Sequence, residues 1–253
     1  MLKKVLKYDL KEIGKKLLPI YLVTLGSCLV TRLLYILAEN IPIFRILSFL
    51  TNILALASLV ATIVISFTTC VKRFYTNLFK EEGYLTNVLP VKINTHILSK
   101  FISFACFSLI SIVIFLGSFS LMYYSIELVS SLREAIDVIK KMIVPFIVFL
   151  SAVYLSYQLL LCAAYSFGQK SNSNKMRKAF IAGIVIYIAT QLVSLITIFI
   201  MNATNSDFLK LVSASDVNSI QKLITTFIFI YIVYILAYYK IIIYNLNKKM
   251  DIE

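Results

Sequence analysis

Charge is scarce in this sequence. Asp, Glu, Lys and Arg make up 15% of its 253 residues, where a soluble domain carries about 25%. Hydrophobic residues reach 60% and mean hydropathy is +0.89, which excludes an ordinary soluble globular domain and indicates an integral membrane protein. Histidine is rarer still. With His96 alone, and that in a polar stretch, an intramembrane serine–histidine enzyme has no histidine to use. No His/Glu cluster has metal-ligand spacing and no Gly-x-x-x-x-Gly-Lys phosphate loop occurs, so the usual hydrolysis of ATP would need another chain. Cys28, Cys70, Cys106 and Cys162 include no Cys-x-x-Cys pair. They signal neither a zinc site nor a disulfide frame and read as packing residues.

What is abundant is long apolar sequence. Six runs stand near the ~20 residues that cross a bilayer: Leu17–Leu37, Ile46–Val71, Phe101–Tyr124, Ile143–Phe167, Phe180–Met201 and Leu223–Tyr244. The first is too long for a signal-peptide core and ends in LLYILAEN without an A-x-A site, so it reads as a retained span. All twelve carboxylates lie outside the interiors of these runs. An Asp at a bilayer centre costs about 2.5–3.5 kcal/mol on insertion scales, and ion-coupled transporters keep one, or Gly/Pro-broken helices, near the midplane. Neither is present, which argues against ion coupling. Pro19 and Pro145 are expected in first turns. Tyr21, Tyr35, Tyr123, Tyr124, Tyr165, Tyr238 and Tyr239 fall near run ends, as an interfacial belt requires.

The basic residues alternate. The N-terminus, Lys72–Lys100, Gly168–Ala179 and the C-terminal end (with Lys240) hold 6, 5, 4 and 3 Lys and Arg, against 6 in the opposite segments. This bias puts both termini and Lys72–Lys100 in the cytoplasm. The net charge of +13 is thereby explained by topology, and nucleic acid is not an expected partner. Residues 1–16 place Leu2, Leu6, Leu10 and Ile13, continued by Leu17, on one face and lysines on the others, the pattern of an amphipathic helix in the headgroup plane of an anionic leaflet. On the outer side, 125–141 reads as a second amphipathic helix, and 202–222 as a weakly patterned, partly re-entrant segment. Polar groups inside the runs are few. Gln158, Gln191 and Asn52 either bond neighbouring helices or line a polar substrate path.

The densest cluster of charge, aromatics and backbone breakers is Lys72–Lys100, KRFYTNLFKEEGYLTNVLPVKINTHILSK. The second span should continue as helix to Gly83, the first ready terminator. Tyr84, Leu85, Val88 and Leu89 give a short apolar–aromatic face, Pro90 stops it, and Asn94 or Thr95 can cap the third span. The expected pattern is an elbow whose apolar face either lies on headgroups or is covered by a partner.

Arg73-Phe74-Tyr75, Asn77-Leu78, Glu82-Gly83-Tyr84-Leu85-Thr86, Leu89-Pro90-Val91 and Leu98-Ser99-Lys100 resemble a signature of small bacterial ABC exporter permeases of the type 2 export class. Lys80-Glu81 stands where that family commonly has Gly-Asp, and Lys92 where it has Ser or Thr. The resemblance implies an all-α membrane protein of six spans in the bacterial cytoplasmic membrane, with the 1–16 helix and the 72–100 loop on its cytoplasmic side. It implies a coupling elbow formed by Arg73, Tyr75, Glu82, Gly83, Tyr84, Leu85, Leu89 and Pro90. This elbow would dock on a separate nucleotide-binding ATPase, which brings ATP and Mg; the chain itself is expected to hold no cofactor or metal. A second copy of the permease, or a related one, completes such a transporter. The cargo expected is hydrophobic or amphipathic, such as an antimicrobial peptide. The competing reading is a non-transporting immunity or signalling subunit that binds a partner through the same loop.

Overall fold

A computed structural model of the chain describes residues 2–38, 41, 43–79, 93–123, 136–170, 174–204 and 217–250. These form six helices: α1 Leu2–Leu37, α2 Ile43–Phe79, α3 Ile93–Met122, α4 Ile136–Gln169, α5 Lys175–Thr204 and α6 Val217–Met250. No strand occurs among the described residues. Each helix contains a stretch long and apolar enough to cross a membrane, and each expected span falls on one of them. Helix is the form such sequences must take, because it satisfies every backbone polar group within the segment where lipid offers no partner. The protein is a multi-pass, all-α membrane protein.

Two expectations at helix ends change. The 1–16 segment and the first span are one unbroken helix, α1, since no strong breaker separates Lys16 from the apolar run. Pro19 and Pro145 lie inside α1 and α4 rather than in first turns. Spans tolerate an interior proline where neighbouring groups take up the freed backbone carbonyl. The residues expected to form the coupling elbow, Glu82 to Pro90, lie outside the described residues, as do 125–135 of the expected amphipathic segment and 205–216 of the 202–222 segment. Residues 136–141 belong to α4.

The chain divides into two compact units, Met1–Cys70 with Ser99–Ile139, and Val71–Leu98 with Lys140–Glu253. In the first unit, one face of α1 is buried from end to end: Asp9, Ile13, Leu17, Tyr21, Thr24, Cys28 and Thr31, at the three- and four-residue intervals that keep side chains on one side of a helix. Against α2 this face presents small hydroxyl residues. Thr24 bonds Thr62, Ser27 bonds Ser58 at 2.8 Å, and Thr31 donates to the Thr51 carbonyl at 3.1 Å. The numbers descend along α2 as they rise along α1, so the two helices are antiparallel. Cys28, Ala55, Leu59 and Met122 fill the apolar core beside this ladder, with Phe115 against them. Small residues let the backbones approach, and the hydroxyls supply interhelical bonds that hydrocarbon cannot replace. Toward α3, Tyr21 shares a 2.7 Å hydrogen bond with Ser111, and the Phe107 ring packs over Gly14.

In the second unit α4 and α5 form a close antiparallel pair. A Cβ at Gly168 would stand 2.5 Å from the Lys175 carbonyl oxygen and 2.6 Å from the Ala179 Cβ, so only glycine permits this approach. Asn174, at φ 54°, turns the chain before α5, and its carbonyl accepts the Lys178 amide at 3.1 Å. Asparagine is one of the few residues that adopt this left-handed conformation readily. Farther along, Gly183 faces Ala164. Helix α6 joins α4 through Asn245, whose amide donates to the Ser166 hydroxyl at 3.1 Å, and through Phe149 packed on Phe227 and Tyr231.

Candidate functional site

Three groups of residues carry the chemistry. The first is at the end of α2 entering the coupling stretch. Phe74 is buried, Asn77 is buried, and Arg73 is half-buried. The Tyr75 ring lies against Tyr165 of α4, with centroids 5.2 Å apart, and against Phe79 at 6.1 Å. Of the expected docking residues, Tyr75 therefore belongs to an aromatic cluster that packs the end of α2 against α4 within its own unit. His96, in the first turns of α3, is also buried.

The second group was not legible as a site. Asp9 of α1 accepts a 2.8 Å hydrogen bond from the Ser99 hydroxyl on one oxygen and faces the Lys100 ammonium at 3.4 Å with the other. Asp9 and Lys100 are 3% and 2% exposed, and Ser103 donates to the Lys100 carbonyl at 2.9 Å. A carboxylate and an ammonium are stable at this depth only as a pair, because each alone carries a desolvation penalty of several kcal/mol. This tie fastens the lysine-rich start of α1 to the start of α3. The only sequence signal was a carboxylate on the apolar stripe of a helix otherwise rich in lysine. Of the stripe Leu2, Leu6, Leu10, Ile13 and Leu17, Ile13 and Leu17 are buried, and the buried line continues through Asp9 where Leu10 was expected.

The third group is a small open-sided cleft in the second unit. Helix α4 contributes Ser156, Tyr157 and Leu160, and α5 contributes Thr190, Gln191 and Ser194. Helix α6 adds Tyr231, Tyr234 and Tyr238, spaced three and four residues apart on one face. The cleft holds about 10 Å³, the threshold for a single water. Tyr231 and Tyr234 meet edge to face with centroids 5.9 Å apart, and Tyr234 and Tyr238 lie 6.4 Å apart.

The cleft sorts the polar residues proposed for a substrate path. Gln191 lines it; Gln158 is fully buried and does not, and neither of its amide atoms has a hydrogen-bond partner among the described residues. Asn52 belongs to the other unit. The tyrosines also divide. Tyr35 and Tyr123 are exposed near helix ends, whereas Tyr21 and Tyr238 are buried. The last two are helix-packing residues rather than members of an interfacial belt, since each faces a polar partner helix: Tyr21 reaches Ser111 and Tyr238 lines the cleft.

No protein-family model, curated protein or solved structure matches this chain.

Proposed function

We propose that this chain is the membrane-spanning permease subunit of an ATP-driven ABC exporter in a bacterial cytoplasmic membrane. The reading is carried by the Arg73–Lys100 pattern, which resembles the coupling region of small bacterial exporter permeases. Two features support it. Helices α2 and α3 both extend beyond the expected spans, α2 from Val71 to Phe79 and α3 back from Phe101 to Ile93, roughly 12 Å of helix on each side at 1.5 Å per residue. The elbow between them would thus stand clear of the hydrocarbon on the basic, cytoplasmic side. The Asp9–Lys100 tie then links the start of α3 to the N-terminal helix, so that movement of the elbow is passed to two helices instead of one.

In this account a separate nucleotide-binding subunit supplies ATP and Mg and grips Glu82, Gly83, Tyr84, Leu85 and Leu89, with Pro90 ending the short docking face. Arg73 and Tyr75 hold the helix that leads into it. Closure of two ATPase subunits on ATP swings two permease copies, this chain with itself or with a related one, between inward and outward access. The cargo is hydrophobic or amphipathic, such as an antimicrobial peptide. Gln158, Gln191 and Asn52 are the polar groups available along its route.

The test is co-expression with a candidate nucleotide-binding ATPase subunit from the same organism. The wild-type pair should co-purify, and Tyr84→Ala or Gly83→Pro should abolish co-purification while membrane insertion stays intact. Undiminished co-purification of both variants would overturn the docking assignment and favour a subunit that binds partners elsewhere.

A further inference from the structure

The tyrosine cleft has a chemical polarity that its residue types alone do not reveal. Four of its hydroxyls give their protons to backbone carbonyls: Ser156 donates to Val153 at 2.7 Å and Thr190 to Tyr187 at 2.8 Å. Ser194 and the Tyr234 phenol both reach the Thr190 carbonyl at 3.0 Å, an oxygen with two lone pairs to accept them. The Ser194 and Tyr234 oxygens, 3.0 Å apart, are left with lone pairs to offer. Around these acceptors stand the electron-rich rings of Tyr157, Tyr231 and Tyr238. Among the described residues, no charged side chain lines the cleft.

We infer that this cleft binds a primary ammonium group. Three properties of the site converge on that ligand. The paired Ser194 and Tyr234 oxygens, whose protons already go to the Thr190 carbonyl, offer lone pairs to a donor. Ring faces attract a cation, the more strongly where water is excluded. The volume matches a water-sized head, which an –NH₃⁺ group is and a trimethylammonium group is not. A carboxylate would bind a cation more tightly, but in a span interior it would itself be costly when the ligand leaves. Tyrosine rings and hydroxyl oxygens give a site that is stable empty and still attractive to a cation. Gln191, on the rim, can turn its amide oxygen toward the same group. Two sources present the same –NH₃⁺, a soluble or peptide amine and an aminolipid headgroup.

The full chain in maltoside micelles, titrated calorimetrically with benzylammonium, tests this directly. Saturable binding is expected, with none for benzyl alcohol, which lacks the charge, or benzyltrimethylammonium, which lacks the donors and the fit. Tyr231→Leu should weaken benzylammonium binding roughly 2- to 30-fold, the span of measured ring–cation effects, whereas Tyr231→Phe should retain most of it. Tyr244→Leu, at an exposed position outside the cleft, is the control for the micelle surface. Phosphatidylethanolamine added to the micelle should displace the probe if the natural ligand is a headgroup and leave it bound if the ligand is a soluble amine; either result keeps the ammonium site. Absence of saturable heat, equal heat with benzyl alcohol, or unchanged affinity in a folded Tyr231→Leu protein would overturn it. Ammonium binding and ATPase docking use different residues, so either can fail while the other stands.

Discussion

Removing one partner of the Asp9–Lys100 pair should loosen the start of α1 far more than removing both. Lys100→Met removes the ammonium that faces the buried Asp9 carboxylate, and Asp9→Leu removes the carboxylate that faces the buried Lys100 ammonium. Both ions are nearly inaccessible, so neither can recover hydration without opening the α1–α3 contact. Breaking a buried pair on one side costs about 3–5 kcal/mol. If that cost is met by local opening of α1, amide exchange over its first four turns should accelerate by roughly two to nearly four orders of magnitude, at about 1.4 kcal/mol per tenfold. The double variant Asp9→Leu/Lys100→Met should recover most of the protection, because replacing a buried pair by apolar groups is often neutral or stabilising. Hydrogen–deuterium exchange on peptides covering residues 2–17, in micelles, is the assay. Single variants that exchange like wild type would show that the pair is solvated in the membrane. A double variant as loose as the singles would show that packing volume, not charge, is what matters there. Either result refutes the reasoning.

Other predictions follow from the same geometry. Gly168→Ala should lower the thermal midpoint by several degrees, since its Cβ would meet the backbone of Lys175 and the Cβ of Ala179 and overpacking costs about 1–3 kcal/mol; Gly183→Ala, whose Cβ would be 3.4 Å from Ala164, should cost much less in the same melt. Thr24→Val removes one rung of the α1–α2 hydroxyl ladder and should destabilise by about 0.6 kcal/mol, and by no more than about 2, in a denaturation titration. Gln158→Leu should leave folded yield unchanged or raised, because it deletes a buried amide with no hydrogen-bond partner among the described residues. A loss of transport in that folded variant, or in Gln191→Leu, would place the residue on the cargo route.

The six spans were legible because hydropathy over ~20 residues is a local property, and the lipid environment leaves a segment of that kind only one regular form. Tertiary partners were not. Asp9 and Lys100 are 91 positions apart, and nothing in the periodicity around either names the other. The continuity of α1 was missed because a change from lysine-rich to apolar sequence was read as a structural boundary, although composition can change along a helix without a break in its backbone. Tyr238 was assigned to an interfacial belt from its place near a run end. Its spacing from Tyr231 and Tyr234 was visible in the sequence, but the facing Thr190 and Ser194 on α5 that make this face a cleft were not. Gln191 was singled out correctly as a polar group in a span, and the cleft gives it neighbours that sequence could not.

The central claim is that residues 82–90 grip a separate ATPase, and site-specific photo-crosslinking tests it most directly. A photoreactive side chain at Tyr84, in cells expressing this chain with a candidate ATPase subunit, should yield an adduct of the two that retains nucleotide binding. The same side chain at Tyr35, near the opposite end of α1 from the lysines, should yield none. An adduct from Tyr35 and not from Tyr84, or only lipid adducts from Tyr84, would contradict the account.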